Sequence, residues 1–181
     1  MFDILTRPLN ILALFLLSLV LIAGLVFQFI LNELPCPLCL LQRVGFAAVM
    51  FGFLLNVVEG PRKRHYGLIL VAALFGAAVA LRQISLHVIP GTPPYGSAIL
   101  GLHYYTWAFV IFSLTILGTA ILLLLSTDEP VIAPQMGMIA KMVCLLAIIS
   151  VLLTFIMTFI ECGPYQCPDN PVSYWLLQEF L

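Results

Sequence analysis

The sequence predicts an all-α integral membrane protein with five transmembrane helices, and three observations carry that prediction. Of 181 residues, 63% are hydrophobic and only 8% are charged. The mean hydropathy is +1.17, more apolar surface than a soluble domain of this length can bury. Five apolar stretches reach about the 20 residues that a helix needs to cross a bilayer. Inside lipid every backbone N–H and C=O needs an internal partner, so such stretches are helices. The net charge of −1 gives no electrostatic basis for a nucleic-acid partner.

The chain reads as a single membrane domain, residues 1–181, with spans over about 9–31, 40–58, 66–89, 104–125 and 138–160 and a tail over 161–181. The first stretch is too long for a removed signal peptide and lacks a small-residue cleavage pattern, so it reads as a retained helix that also directs insertion. Glu59-Gly60-Pro61 ends the second span, and the run from Pro90 to Gly96 makes a loop after the third. Pro130 and Pro134 break the chain before the fifth. The tail carries Val172, Trp175, Leu176 and Phe180, a pattern that fits either a short interfacial helix or a frayed end.

Orientation follows from the basic residues. Arg7 precedes the first span, Arg62, Lys63 and Arg64 lie between the second and third, and Lys141 lies near the start of the fifth. The positive-inside rule puts these segments in the cytoplasm. The acidic Thr127-Asp128-Glu129-Pro130 loop argues neither way. An odd number of spans then carries the C-terminus outward. Cys36, Cys39, Cys162 and Cys167 all fall on the outer face, where disulfides persist.

Two dithiols at one membrane surface point to thiol-disulfide exchange. Cys36 and Cys39 have C-x-x-C spacing, close enough for a disulfide within one turn. Pro37 suits the first position of a helix, so the second span starts here with a cysteine at its N-terminus. Orphan N–H groups and the helix dipole favour a thiolate in that position, and such a thiolate is a good leaving group. Arg43 lies one turn beyond Cys39 on the same face and places a guanidinium inside the apolar span. An intramembrane charge is expensive and marks function by default. The plainer alternatives are a static disulfide and an arginine reaching the headgroups. Gln83 and His87 share a face of the third span. With Gln28 they build a polar pocket suited to a ligand with carbonyl oxygens and an apolar tail. Taken singly, each fits an interhelical hydrogen bond better than a ligand contact. His65 and His103 read as interface markers. Cys162 and Cys167 bracket a short turn that closes a disulfide, either as a mobile exchange pair or as a staple for the tail. Cys144 lies mid-span as a packing residue.

These residues resemble the disulfide bond formation protein B (DsbB) family. The resemblance rests on Phe27-Gln28, on Pro35-Cys36-Pro37-Leu38-Cys39-Leu40-Leu41-Gln42-Arg43, on Leu81-Arg82-Gln83 with His87, and on Leu100-Gly101-Leu102 with Trp107. It implies a four-helix transmembrane bundle, here with a fifth transmembrane helix added, in a bacterial inner membrane. It implies ubiquinone or menaquinone as cofactor and a periplasmic DsbA-like thioredoxin-fold protein as partner. It also implies that Cys39 is the quinone-side cysteine, that Cys36 is exposed to exchange, and that Arg43 stabilises the charge developing between thiolate and quinone. Gln28 and His87 would lie near the quinone ring.

The family's second cysteine pair lies between its third and fourth spans. Here residues 88–103 hold no cysteine, and the pair follows the fifth span. The resulting expectation is a quinone-dependent thiol oxidase passing electrons from Cys162/Cys167 to Cys36/Cys39 to quinone. A vitamin K epoxide reductase-like quinone reductase and a Cys₄ metal-handling protein are the alternatives. No bound metal is expected, because a cation beside Arg43 gains nothing. A purely structural multi-span protein with two disulfide staples is the third reading.

Overall fold

Residues without water to bond must satisfy their own backbones, and the fold follows that demand. The computed structural model describes residues 2–125 and 135–180. The acidic loop at 127–130 and the proline breaks at 130 and 134 lie outside the described residues. The elements run α1 (Phe2–Ile30), α2 (Pro37–Val58), α3 (Lys63–His87), β1 (Ala98–Ile99), β2 (Leu102–His103), α4 (Tyr104–Leu125), α5 (Met138–Cys162) and α6 (Trp175–Phe180). Among the described residues, five helices are long and apolar enough to cross a membrane: Thr6–Ile30, Pro37–Val58, Lys63–His87, Tyr104–Leu124 and Met138–Cys162.

The helices pack in sequence order, α1 on α2, α2 on α3 and α3 on α4, while α5 lies against α1 and α2. Small residues set the closest approach. A Cβ added to Gly76 would lie 2.2 Å from Phe112 Cζ, and one added to Gly45 would lie 3.1 Å from Gly76 Cα. The missing side chains admit the fully buried Phe112 ring, which stacks on Phe46 at a centroid distance of 4.1 Å. Large apolar side chains such as Phe51, Leu74, Leu114 and Phe155 remain exposed on the outward faces, where lipid rather than water is the neighbour.

Towards the Arg62–Arg64 end, a polar network ties three helices. Asn10 Nδ2 donates to the Tyr66 hydroxyl at 3.0 Å, and Asn56 Nδ2 donates to Asn10 Oδ1 at 2.8 Å. His65, expected to mark an interface, is instead buried and bonds Asn56 Oδ1 at 3.0 Å. The membrane-buried amides give it a partner that its position in a basic run does not advertise.

At the opposite end, β1 and β2 form a hairpin that pairs Ala98 with His103 and Ile99 with Leu102. Its two-residue turn, Leu100-Gly101, has φ of 52° and 83°, both positive as the twist of a tight hairpin requires. The loop is fastened to the segment before α2. Ser97 Oγ donates to Glu33 Oε1 at 2.6 Å, and the Tyr95 hydroxyl donates to the Leu34 carbonyl at 2.6 Å. Burial pushes the Tyr95 phenol up, so it stays a donor. Trp107 Nε1 donates to the Ile99 carbonyl at 2.9 Å, closing the hairpin onto α4.

Candidate active site

The chemistry begins at the head of α2. Cys36 is the N-cap, with extended backbone, and Pro37 stands in the first turn. The missing N–H of Pro37 costs nothing there, and its ring presets the helical φ. The Cys39 N–H, an orphan donor of that turn, donates to Cys36 Sγ at 3.3 Å. The two sulfurs lie 2.7 Å apart as thiols, a short approach from the ~2.05 Å of a disulfide bond.

A buried amide faces both sulfurs. Gln83 of α3, with 0% exposure, donates from Nε2 to Cys36 Sγ at 3.2 Å and to Cys39 Sγ at 3.4 Å. Gln42 Nε2 donates to Gln83 Oε1 at 2.7 Å. A helix N-terminus favours a thiolate in general. At Cys36 the hydrogen-bonded neighbour Cys39 and burial prevail, and together they push the Cys36 thiol up. Cys36 keeps its proton, so a single negative charge on the pair resides on Cys39.

Arg43 lies one helical turn from Cys39 and is held from α1. Nη1 donates to Gln28 Oε1 at 3.0 Å and Nη2 to the Gly24 carbonyl at 3.3 Å. Gln28 Nε2 in turn donates to the Tyr174 hydroxyl of the tail at 3.2 Å. Cys39, Gln42, Arg43 and Gln28 form the polar end of a cavity of about 270 Å³. Its walls are mostly apolar, with Phe27, Phe46, Tyr105 and Trp107 among them.

His87 stands behind that wall. Its Nδ1 donates to the Gln83 carbonyl at 2.8 Å, and its ring stacks on Tyr105 at 5.2 Å. Tyr105 also stacks on His103 at 5.4 Å. The structure therefore brings together Cys36, Cys39, Arg43 and Gln28, while His87 reaches the cavity only through Tyr105.

Cys162 and Cys167 form a disulfide at the end of α5. The turn between them, Pro164 to Gln166, is exposed, but the sulfurs are covered to different extents. Cys162 is buried and Cys167 is half-buried. Gly163 caps α5 with φ of 63°, and the Trp175 ring of α6 lies directly over it. Cys36, expected to face exchange, is likewise buried. Cys144 packs in the core. Among the described residues, no group of three or more His, Cys, Asp and Glu is placed to hold a metal ion.

Residues that sequence reasoning passed over also converge here. Glu161 is buried at 2% exposure, within electrostatic reach of Arg43 and Cys39. Tyr174 meets Gln28 from the tail. Only an acidic residue beside a cysteine pair at a span's end signalled the first, and nothing local signalled the second.

The comparisons with known proteins bear on this assembly of a capped dithiol, a buried amide and a held guanidinium. Residues 6–95 match the family model described as Disulfide bond formation protein DsbB. Over those residues, just under half of its length, the chain is similar to the DsbB family. Three curated relatives, each called Disulfide bond formation protein B, illustrate the likeness. That of Chromobacterium violaceum is 46% identical over 67 residues, 35% of this chain and 40% of the relative. That of Xanthomonas euvesicatoria is 38% identical over 86 residues, 42% of this chain and 50% of the relative. That of Marinobacter nauticus is 52% identical over 60 residues, 31% of this chain and 36% of the relative. The chain thus spans half or less of the length of these relatives. No solved structure matches it. Five apolar helices together with this similarity to DsbB indicate a multi-pass inner-membrane protein. The match covers most of α1, all of α2 and α3 and part of the loop before α4, so α5 and the second cysteine pair lie beyond it.

Proposed function

We propose that the protein is a quinone-dependent membrane thiol oxidase that reoxidises a periplasmic thioredoxin-fold dithiol protein. The observation that carries this reading is Cys39, one half of a dithiol, standing at the polar end of an apolar cavity beside the held Arg43. Both cysteine pairs and the C-terminus face the periplasm in this reading, and the N-terminus faces the cytoplasm.

A thiolate of the partner attacks Cys167, the more accessible sulfur of the outer pair. The Cys162–Cys167 bond breaks, and Cys162 leaves as a thiolate. The partner's second thiol resolves the mixed disulfide, so the partner leaves oxidised and the outer pair is left as two thiols. Those thiols reduce the Cys36–Cys39 disulfide by the same exchange. Reoxidation of Cys36 and Cys39 then releases two electrons and two protons.

The cavity fits a quinone as their acceptor. Guanidinium and amide donors at one end suit carbonyl oxygens, and flat aromatic walls suit a ring with an apolar tail. Ubiquinone and menaquinone both meet that description. Bound there, a quinone supplies a two-electron, two-proton sink. Arg43 and Gln28 would hold it against Cys39. Arg43 stabilises negative charge on Cys39, Gln83 orients both sulfurs, and the walls keep water from the exchange.

The test is quinone reduction by a dithiol substrate with the purified protein. Cys36→Ser and Cys39→Ser each abolish it on this reading. Full activity in either variant would overturn it. A free-thiol count with metal analysis addresses the Cys₄ alternative, which predicts stoichiometric zinc on reduced thiols.

A further inference from the structure

The tail after Cys167 reaches back to the candidate site through Tyr174, and the electron route above makes no use of that residue. The Tyr174 hydroxyl accepts from Gln28 Nε2 at 3.2 Å, and Gln28 Oε1 accepts from Arg43 Nη1 at 3.0 Å. Gln28 is buried, with 3% exposure. A primary amide carries its donors on one side and its acceptor on the other, so a partner at one side settles what the other presents. With Tyr174 accepting at the nitrogen, the oxygen is left for the guanidinium. Turned over, the amide would set N–H against N–H and leave a guanidinium donor unpaired, which is costly away from water. Gln28 and Arg43 line the cavity together with Cys39, while Tyr174 is not part of its wall. Tyr174 can therefore act on the cavity only through Gln28. The residue after it, Trp175, is anchored independently. Its ring lies on Gly163, the cap of α5, and meets Tyr165 edge-on at 5.9 Å. Both of those residues sit inside the turn that the Cys162–Cys167 disulfide closes.

We propose that Tyr174 is a positioning residue of the site, its hydroxyl orienting the Gln28 amide so that the amide oxygen holds Arg43 at the cavity. Arg43 has two holds on α1, Gln28 Oε1 and the Gly24 carbonyl. Two holds fix a planar guanidinium, whereas one leaves it to pivot. Cys39 and Arg43 are four residues apart on α2, so they share a face, and both line the cavity. A guanidinium kept in place there stabilises a Cys39 thiolate without having to reorganise as the charge forms. The segment that supplies Tyr174 lies beyond residue 95, where the DsbB match ends. This role deepens the thiol-oxidase reading and rests on it for its purpose, but the hydrogen-bond chain itself needs neither quinone nor partner.

The test uses the full chain in detergent without added quinone, in a Cys36→Ser, Cys144→Ala background that keeps the Cys162–Cys167 disulfide and leaves Cys39 as the single free thiol. The rate of Cys39 alkylation near pH 7 reads how well Arg43 supports the thiolate. Tyr174→Phe keeps the ring and removes only the hydroxyl. It should slow alkylation by about 2- to 10-fold, the weight of one neutral hydrogen bond. Gln28→Leu should slow it at least as much. With the amide gone there is nothing left to orient, so adding Tyr174→Phe to Gln28→Leu should change the rate no further. An unchanged or faster rate in either single variant overturns the proposal. So does a Tyr174→Phe effect that persists at full size in Gln28→Leu, which is the mark of a tail that only steadies the fold. Quinone reduction, measured separately on the otherwise unmodified chain, tests the thiol-oxidase reading, so the two can fail independently.

Discussion

Gln42 donates to Oε1 of Gln83 at 2.7 Å, and this bond turns the Gln83 amide nitrogen towards the sulfurs of Cys36 and Cys39. The pair spans α2 and α3, so the packing of two helices sets which end of an amide the dithiol meets. A donor aimed at both sulfurs favours negative charge on either without choosing between them. Gln83→Leu removes it. Loss of one such hydrogen bond is worth about 0.5–1.5 kcal/mol, so dithiol oxidation should slow by about 2- to 10-fold. Gln42→Leu leaves Gln83 free to rotate and should slow it in the same direction by less. Stopped-flow oxidation of the reduced pair reads both, and an unchanged rate in Gln83→Leu removes the amide from the mechanism.

Arg43 reaches two acceptors on α1, Gln28 Oε1 and the Gly24 carbonyl, through separate guanidinium nitrogens. Lysine keeps the charge but cannot hold both acceptors in a planar fork. Arg43→Lys should lower quinone-linked turnover by about 10- to 100-fold, the weight of one charged hydrogen bond of ~1.5–3 kcal/mol. Gln28→Ala frees one guanidinium nitrogen and the Tyr174 hydroxyl, and should raise KM for quinone more than it lowers kcat. Steady-state kinetics with a soluble quinone analogue separates the two effects.

What the chain reveals before folding depends on how local each feature is. The five spans, the Cys36 cap and the Pro37 start of α2 are written in runs and dipeptides, and the structure has helices at those places, with ends a few residues away. Arg43 stood out because a cation in an apolar run has no local excuse. The Gln42–Gln83 bond was not legible, since it depends on how α2 crosses α3. His87 shares a helix face with Gln83, yet its ring turns to Tyr105, a residue 18 positions later on another helix. Glu161 was hidden by its setting at the end of a 25-residue apolar helix, where an acidic residue reads as an interfacial one. Its burial depends on tertiary packing, since α5 docks on α1, α2 and α6.

The Gly76–Phe112 contact predicts a stability effect with no bearing on chemistry. A methyl at Gly76 would lie within 2.2 to 2.6 Å of three ring carbons of Phe112. Gly76→Ala should destabilise the bundle by about 1–3 kcal/mol, the usual cost of overpacking. Phe112→Leu shortens the obstructing group, so the double variant should recover part of the loss. Thermal unfolding in detergent of both singles and the double gives the coupling directly.

The raised Cys36 thiol predicts an order of reaction in the reduced protein. Its ordinary value of 9.0 is pushed up by the contact with Cys39 and by burial. A raised acid keeps its proton to higher pH, so Cys36 stays a thiol at neutral pH and ionises only as the solution becomes strongly alkaline. Brief alkylation near pH 7 should therefore mark Cys39, with Cys36 following only well above its ordinary value. The same sign makes folding of the reduced form less favourable as pH rises above about 9, because the unfolded chain loses that proton first. Peptide mapping after timed alkylation checks the order, and early labelling of Cys36 contradicts it.

The Cys162–Cys167 disulfide predicts where a partner attaches. Cys162 is buried, while Cys167 is half-buried and is followed by the exposed Pro168, Asp169 and Asn170. An incoming thiolate must approach along the S–S axis, and only the Cys167 side is open to it. A thioredoxin-fold dithiol protein lacking its resolving cysteine should therefore stay bound as a mixed disulfide, and mapping should find it on Cys167. Cys162→Ser should stop oxidation of the protein partner while small thiols are still oxidised in part through Cys36 and Cys39. If partner oxidation proceeds at full rate without Cys162, the outer pair serves as a staple for the tail, and exchange must begin at Cys36.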